Sequence, residues 1–112
     1  MRELLILRHG KAEKDHAGGD FYRSITDRGK RGAQRIGVWL ARKALLPDDI
    51  VASPAARAKE TAAKCIKAMG ADERQVRKDE RLYRADVCDL LAALADCPAG
   101  AQRVLLIGHN PV

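Results

Sequence analysis

The chain of 112 residues carries 21 Lys and Arg against 15 Asp and Glu, a formal charge of +6, with 46% hydrophobic and 32% charged residues. That balance describes one globular domain with a core and excludes a disordered chain; no apolar run approaches the roughly 20 residues of a membrane helix, and Leu4-Leu5-Ile6-Leu7 is too short for the apolar part of a signal peptide. The surplus charge favours anionic partners, yet bases and acids are interleaved, no block of five or six like charges occurs, and aromatics make up 4%, so a nucleic-acid platform is not expected.

Leu4 to Leu7 is continuous and apolar, the pattern of a strand buried on both faces. A polar, glycine-containing loop follows from Gly10 to about Ile25. A helix is predicted from about Asp27 to Ala44, with Thr26 as N-cap, Ala33, Ile36, Gly37, Leu40, Ala41 and Ala44 at helical spacing, and Pro47 beyond it. Ile50-Val51-Ala52 is a second short strand. Ser53-Pro54 then has the form of a helix start, serine as N-cap and proline at the first helical position. Ala58, Thr61, Ala62, Cys65, Ile66 and Met69 form its apolar stripe, and Gly70 is its stop. A weak strand lies at Gln75 to Lys78. Asp86 caps a third predicted helix with Val87, Leu90, Leu91 and Leu94 on one face, broken by Cys97-Pro98-Ala99-Gly100. Val104 to Ile107 is the last strand. The alternation reads as α/β, a three-layer α/β/α arrangement around a mainly parallel sheet.

Cys65, Cys88 and Cys97 are odd in number and form no CxxC pair. They are read as free thiols packed in the core, in a reducing compartment, so a cytoplasmic location is expected and a disulfide framework or zinc knuckle is not. Trp39 is likewise read as a packed helix residue.

Chemistry gathers at three strand ends. Arg8-His9-Gly10 follows the first strand, Ser53-Pro54 with Arg57 follows the second, and Gly108-His109-Asn110-Pro111 follows the last. Ligands bind at the carboxyl ends of strands in open α/β sheets, so parallel neighbours would bring two histidines and two arginines together. Imidazole is a competent nucleophile toward phosphorus when its reacting nitrogen is unprotonated. Guanidinium presents a planar fork matched to phosphate oxygens, and two of them nearby favour neutral imidazole. Gly10 would let the backbone approach a phosphate or orient His9.

These residues resemble the histidine phosphatase superfamily, which includes the phosphoglycerate mutase-like enzymes, and within it the SixA-type phosphohistidine phosphatases. The resemblance rests on Leu7-Arg8-His9-Gly10-Lys11-Ala12, on Arg23-Ser24-Ile25-Thr26 followed by Gly29, and on Ser53-Pro54-Ala55-Ala56-Arg57-Ala58 with Glu60-Thr61-Ala62. It continues in Leu82-Tyr83 and Gly108-His109-Asn110-Pro111, in order along the whole chain. It implies a phosphoglycerate mutase-like fold, His9 as the nucleophile that is transiently phosphorylated, Arg8 and Arg57 as clamps on the phosphoryl oxygens, and His109 as the second histidine. Arg23 and Asn110 fall on the substrate side. Glu80 falls where an acid protonates the leaving oxygen in the wider superfamily; a surface carboxylate paired with Arg81 or Arg84 is the competing reading. No metal or cofactor is implied. Relatives continue past the fourth motif, so residues 1–112 are expected to be a domain incomplete at its C-terminal end, leaving an unpaired edge or an exposed apolar face.

The expected function is hydrolysis of phosphohistidine on a protein, a histidine phosphotransfer domain or a phosphocarrier, because the short loops hold no inserted cap to enclose a small molecule. Lys11 after the Arg-His-Gly run favours an acidic protein substrate. A phosphatase for small phosphate esters and a non-catalytic phosphoprotein-binding module are the alternatives.

Overall fold

The computed structural model describes residues 3–83 and 86–109. Its four strands are β1 (Glu3–Arg8), β2 (Asp49–Ala52), β3 (Val76–Lys78) and β4 (Arg103–Gly108), and its three helices are α1 (Asp27–Arg42), α2 (Ala56–Ala68) and α3 (Val87–Ala95). The sheet is parallel throughout, in the order β1-β4-β2-β3. The chain moves from β1 across to β2 and β3 with α1 and α2 on one face, then returns through α3 on the other to insert β4. A reversal of direction in right-handed crossovers places the helices on opposite faces, which is the expected three-layer α/β/α fold.

Side-chain alternation along the strands divides the core. Ile50, Ala52, Leu105 and Ile107 meet Ala33, Leu40, Ala62, Cys65 and Ile66 of α1 and α2. Val51, Val104 and Leu106 meet Leu82, Ala93, Cys97 and Ala101 on the α3 side. Burying each large aliphatic chain contributes about 1.5–3 kcal/mol, so central β4 anchors both layers.

β1 departs from expectation. Leu5 and Leu7 pack toward α1 and α2, but Leu4 and Ile6, on the α3 side, are 42% and 71% exposed. Among the described residues β1 pairs with β4 alone, and its α3-side face is uncovered by any of them.

Helix α1 starts where its cap predicts: Thr26 Oγ1 accepts from Gly29 N at 3.1 Å. Its buried stripe is Gly29, Ala33, Gly37 and Leu40, whereas Ile36, Trp39 and Ala41 are exposed. Trp39 is therefore not a core residue; it lies outside the stripe that α2 covers. At Gly37 a Cβ would collide with the Cys65 carbonyl, which is how the two helices approach so closely.

Helix α2 begins two residues later than expected, at Ala56, with Ala55 at the N-cap and no side-chain cap. Ser53 Oγ instead accepts from Ala55 N at 3.3 Å and bonds a histidine ring, so a tertiary partner takes the hydroxyl that a cap would use. The α2 stripe is as predicted, with Gly70 at φ +84° ending it. Asp86 caps α3 in a reciprocal box with Asp89. The α3 face is rotated from the predicted one: Ala93 is buried and Leu90 and Leu94 pack beside it, while Val87 and Leu91 are 68% and 61% exposed. Cys65 and Cys97 are buried; Cys88 is exposed, so only two thiols serve as core. No helix among the described residues is long and apolar enough to cross a membrane.

Candidate active site

The sheet order makes β1, β4 and β2 neighbours, so their carboxyl ends lie side by side. The ladder continues past the strands: His9 N donates to Gly108 O at 2.9 Å and Ser53 N to Ile107 O at 2.9 Å. This places His9, His109 and Ser53 in one row. The two imidazoles have ring centroids 5.3 Å apart.

His9 Nδ1 lies 2.8 Å from the Gly10 carbonyl. A carbonyl only accepts, so Nδ1 carries the proton and Nε2 presents its lone pair. Burial lowers the His9 pKa below the usual 6.5, and the charges of Arg57, Arg8 and Arg23 lower it further, against the Gly10 bond that raises it. The neutral, nucleophilic form is therefore favoured near neutral pH.

Gly10 is held from two sides. Its N–H donates to Thr61 Oγ1 at 2.9 Å, and that hydroxyl donates to the Arg57 carbonyl at 2.7 Å. A Cβ on Gly10 would meet the Gly29 carbonyl oxygen at 2.8 Å, so the loop rests directly on the first turn of α1. Glu60 Oε1 accepts from Ile25 N at 2.9 Å and ties the end of the same loop to α2.

Arg57 is 6% exposed. Its Nη1 donates to the Asp20 carbonyl at 2.8 Å, its Nη2 to Asp20 Oδ2 at 3.1 Å, and its guanidinium stands 5.9 Å from the Tyr83 ring centroid. Asp20 also accepts from Arg23 Nε at 2.9 Å and from the Tyr83 hydroxyl at 2.6 Å. The Tyr83 bond, followed by the Arg57 contacts, holds the Asp20 carboxyl down at about 2. Sequence reasoning missed Asp20. Its signal is an acid three residues before Arg23 in a strand-to-helix loop, which acquires meaning only once Arg57 is known to be buried.

His109 Nε2 lies 2.8 Å from Ser53 Oγ, and its ring packs edge-on near Tyr83 at 5.6 Å. Burial, then the charge of Arg57, pushes its pKa down to about 4. Two buried polar atoms here have no partner among the described residues, Arg57 Nε and His109 Nδ1. Buried polar groups are rarely left unpaired, and both belong to side chains suited to an anion.

Arg8 and Arg23 join His9 in lining a cavity of about 590 Å³ with Lys11, Lys14 and Arg28. The structure thus brings together His9, His109, Arg8, Arg23 and Arg57. Glu80 is exposed at the start of the 3-10 turn Glu80–Leu82, and its side chain bonds no described residue of this site. Arg81, one of the two partners expected for it, is held by Asp79 and Asp96 instead; Arg84, the other, lies outside the described residues. Asn110 lies outside the described residues. Among the described residues, no group of three or more His, Cys, Asp or Glu is arranged to hold a metal ion.

The family model described as histidine phosphatase superfamily (branch 1) matches residues 4–90. Among solved structures, a candidate phosphohistidine phosphatase SixA from Nakamurella multipartitia is similar at 39% identity and a TM-score of 0.84, over 98% of this chain and 60% of that one. The corresponding candidate from Agrobacterium tumefaciens is 31% identical at a TM-score of 0.84, over 96% of this chain and 69% of its own. A protein histidine phosphatase SixA complexed with tungstate is 27% identical at 0.87, over 96% and 69%. The chain thus spans three-fifths of the first of these structures and about two-thirds of the other two. No curated protein sequence matches it.

Proposed function

The chain belongs to the histidine phosphatase superfamily, and on that premise we propose that it removes phosphoryl groups from histidine side chains of other proteins through a phosphohistidine formed on His9. The observation that carries this reading is the His9 Nδ1–H bond to the Gly10 carbonyl at 2.8 Å, which leaves Nε2 unprotonated on a residue lining a cavity with Arg8, Arg23 and Arg28.

In the first step His9 Nε2 attacks phosphorus. A P–Nε2 bond forms as the P–N bond to the substrate imidazole breaks, and the departing imidazole nitrogen takes a proton from water. In the second step water attacks the phosphorus as the P–Nε2 bond breaks, the proton it loses neutralises the hydroxide left by the first step, and inorganic phosphate leaves with His9 restored to its Nδ1–H form. Arg57, Arg8 and Arg23 hold the phosphoryl oxygens as charge builds on them. Ser53 Oγ already accepts from Ala55 N, so its own hydrogen can go to His109 Nε2. The His109 proton then sits on unpartnered Nδ1, a donor for the transferring group. The arginines supply the positive charge, so the chemistry as drawn calls for no metal.

Two features favour phosphohistidine over an ester. Glu80 is exposed and bonds no described residue of the site, and imidazole, whose conjugate acid has a pKa of about 6.5, leaves with less help than an alkoxide. The similarity to SixA structures points the same way. A histidine phosphotransfer domain or a phosphocarrier is the substrate this reading assigns, with Asn110 on the substrate side.

The test is to mix the protein with a histidine-phosphorylated protein, quench in alkali and locate bound phosphate by peptide mapping. Acid-labile, alkali-stable phosphate on His9, absent in His9→Asn, supports the reading. Turnover retained by His9→Asn contradicts it.

A further inference from the structure

Helix α1 carries a second pattern on its outer surface. At 100° per residue, Arg28, Arg31, Arg35, Val38, Trp39 and Arg42 fall within an arc of about 100°, opposite the buried stripe of Gly29, Ala33, Gly37 and Leu40. All six are exposed, Trp39 by 50% and Val38 by 38%. Arg28 lines the cavity beside His9. One turn on, Arg31, Arg35, Arg42, Val38 and Trp39 line a second open groove of about 520 Å³. Among the described residues no carboxylate lines either groove, and none is paired with Arg31, Arg35 or Arg42. Asp27, the only acid on α1, sits 3.8 Å from Lys30.

A solvated cationic helix would have no reason to expose an indole and a valine in its basic stripe. Tryptophan with arginine, largely without lysine, is the composition of protein-docking hot spots. A nucleic-acid surface would want several stacking aromatics, and this face has one.

We infer that this stripe is a docking track for an acidic segment of the phosphohistidine-bearing protein, running from the catalytic cavity to Trp39. The inference rests on the function proposed above and names its substrate more closely. The Arg28-to-Arg42 span is about 21 Å at 1.5 Å per residue, which six or seven extended residues of a partner cover. Lys11 and Lys14 at the mouth of the first cavity extend the same field toward His9.

The probes are two synthetic peptides with one phosphohistidine and a ten-residue arm, rich in Glu and Asp in one and in Ser and Gly in the other. At low ionic strength the wild type should hydrolyse the acidic peptide with at least tenfold higher kcat/KM, the difference lying in KM. In the double variant Arg31→Glu, Arg35→Glu the ratio should fall below about two while the neutral peptide is turned over as before, which also shows that the variant is folded. Trp39→Ala should lower the ratio about threefold.

A wild-type ratio near one, or a ratio that survives the double variant, overturns the docking track and leaves the phosphatase reading standing. Hydrolysis of neither peptide beside brisk hydrolysis of p-nitrophenyl phosphate overturns the phosphohistidine reading, and the track with it. Tighter binding of phosphatidylglycerol vesicles or duplex DNA than of the acidic peptide, lost in the double variant, reassigns the stripe and also overturns the inference.

Discussion

Thr61 links the stability of the fold to the orientation of the nucleophile, and Thr61→Val tests that link. The residue is 1% exposed, and its hydroxyl accepts from Gly10 N and donates to the Arg57 carbonyl. Valine keeps the shape without the hydroxyl. The Arg57 carbonyl retains its helical role as an acceptor, so the main loss is an N–H at Gly10 with no acceptor. An unsatisfied buried donor costs about 1–3 kcal/mol. Gly10 is only half-buried and water can reach it, which places the effect at about 1–2 kcal/mol. For a domain of this size that lowers Tm by on the order of 5–10 °C. The Gly10 carbonyl also fixes the His9 tautomer, so kcat on a phosphohistidine substrate should fall roughly tenfold with KM little changed. Urea unfolding and steady-state kinetics on the same preparation read both effects. An unchanged unfolding midpoint together with an unchanged kcat would refute the coupling.

Other outcomes follow from the same geometry. Because burial and three arginines lower the His9 pKa, the neutral form persists below pH 6.5, and the acid limb of kcat/KM should lie under that value; a limb at 7 or above contradicts the assignment. His109 is depressed to about 4, so its contribution to stability is complete above pH 6.5 and is lost as pH falls toward 4, an effect that denaturant titrations at pH 7 and 5 would show and that His109→Gln should abolish. Asp20→Asn removes a carboxylate that competes for Arg57 and Arg23, so inorganic phosphate should inhibit three- to tenfold more tightly; weaker inhibition would make Asp20 a support for those arginines. Glu80 is exposed and bonds no described residue of the site, so Glu80→Gln should change hydrolysis of a phosphohistidine peptide by less than twofold; a loss of tenfold or more would make Glu80 part of the machinery.

What could be read in the chain was local. The apolar runs ending in Arg8-His9-Gly10 and Gly108-His109 marked strand ends. The caps at Thr26 and Asp86 were legible because each bond lies within one turn. Partners distant in sequence were not legible. Ser53 looked like a helix cap, but its hydroxyl meets His109, 56 residues on. Asp20 looked like one more loop acid until Arg57, 37 residues away, needed a counter-ion. Four apolar residues in β1 suggested burial on both faces, yet only Leu5 and Leu7 are covered. The spacing of α3 could not tell Leu91 from Ala93, because which side packs depends on the sheet it meets.

Phosphate release from a histidine-phosphorylated protein, in excess chelator, by the wild type and by His9→Ala, tests the central claim most directly. Release that survives the chelator and disappears in His9→Ala is the predicted result. Equal release by the two proteins, or none from folded wild type, would contradict the assignment of His9 as a metal-independent nucleophile.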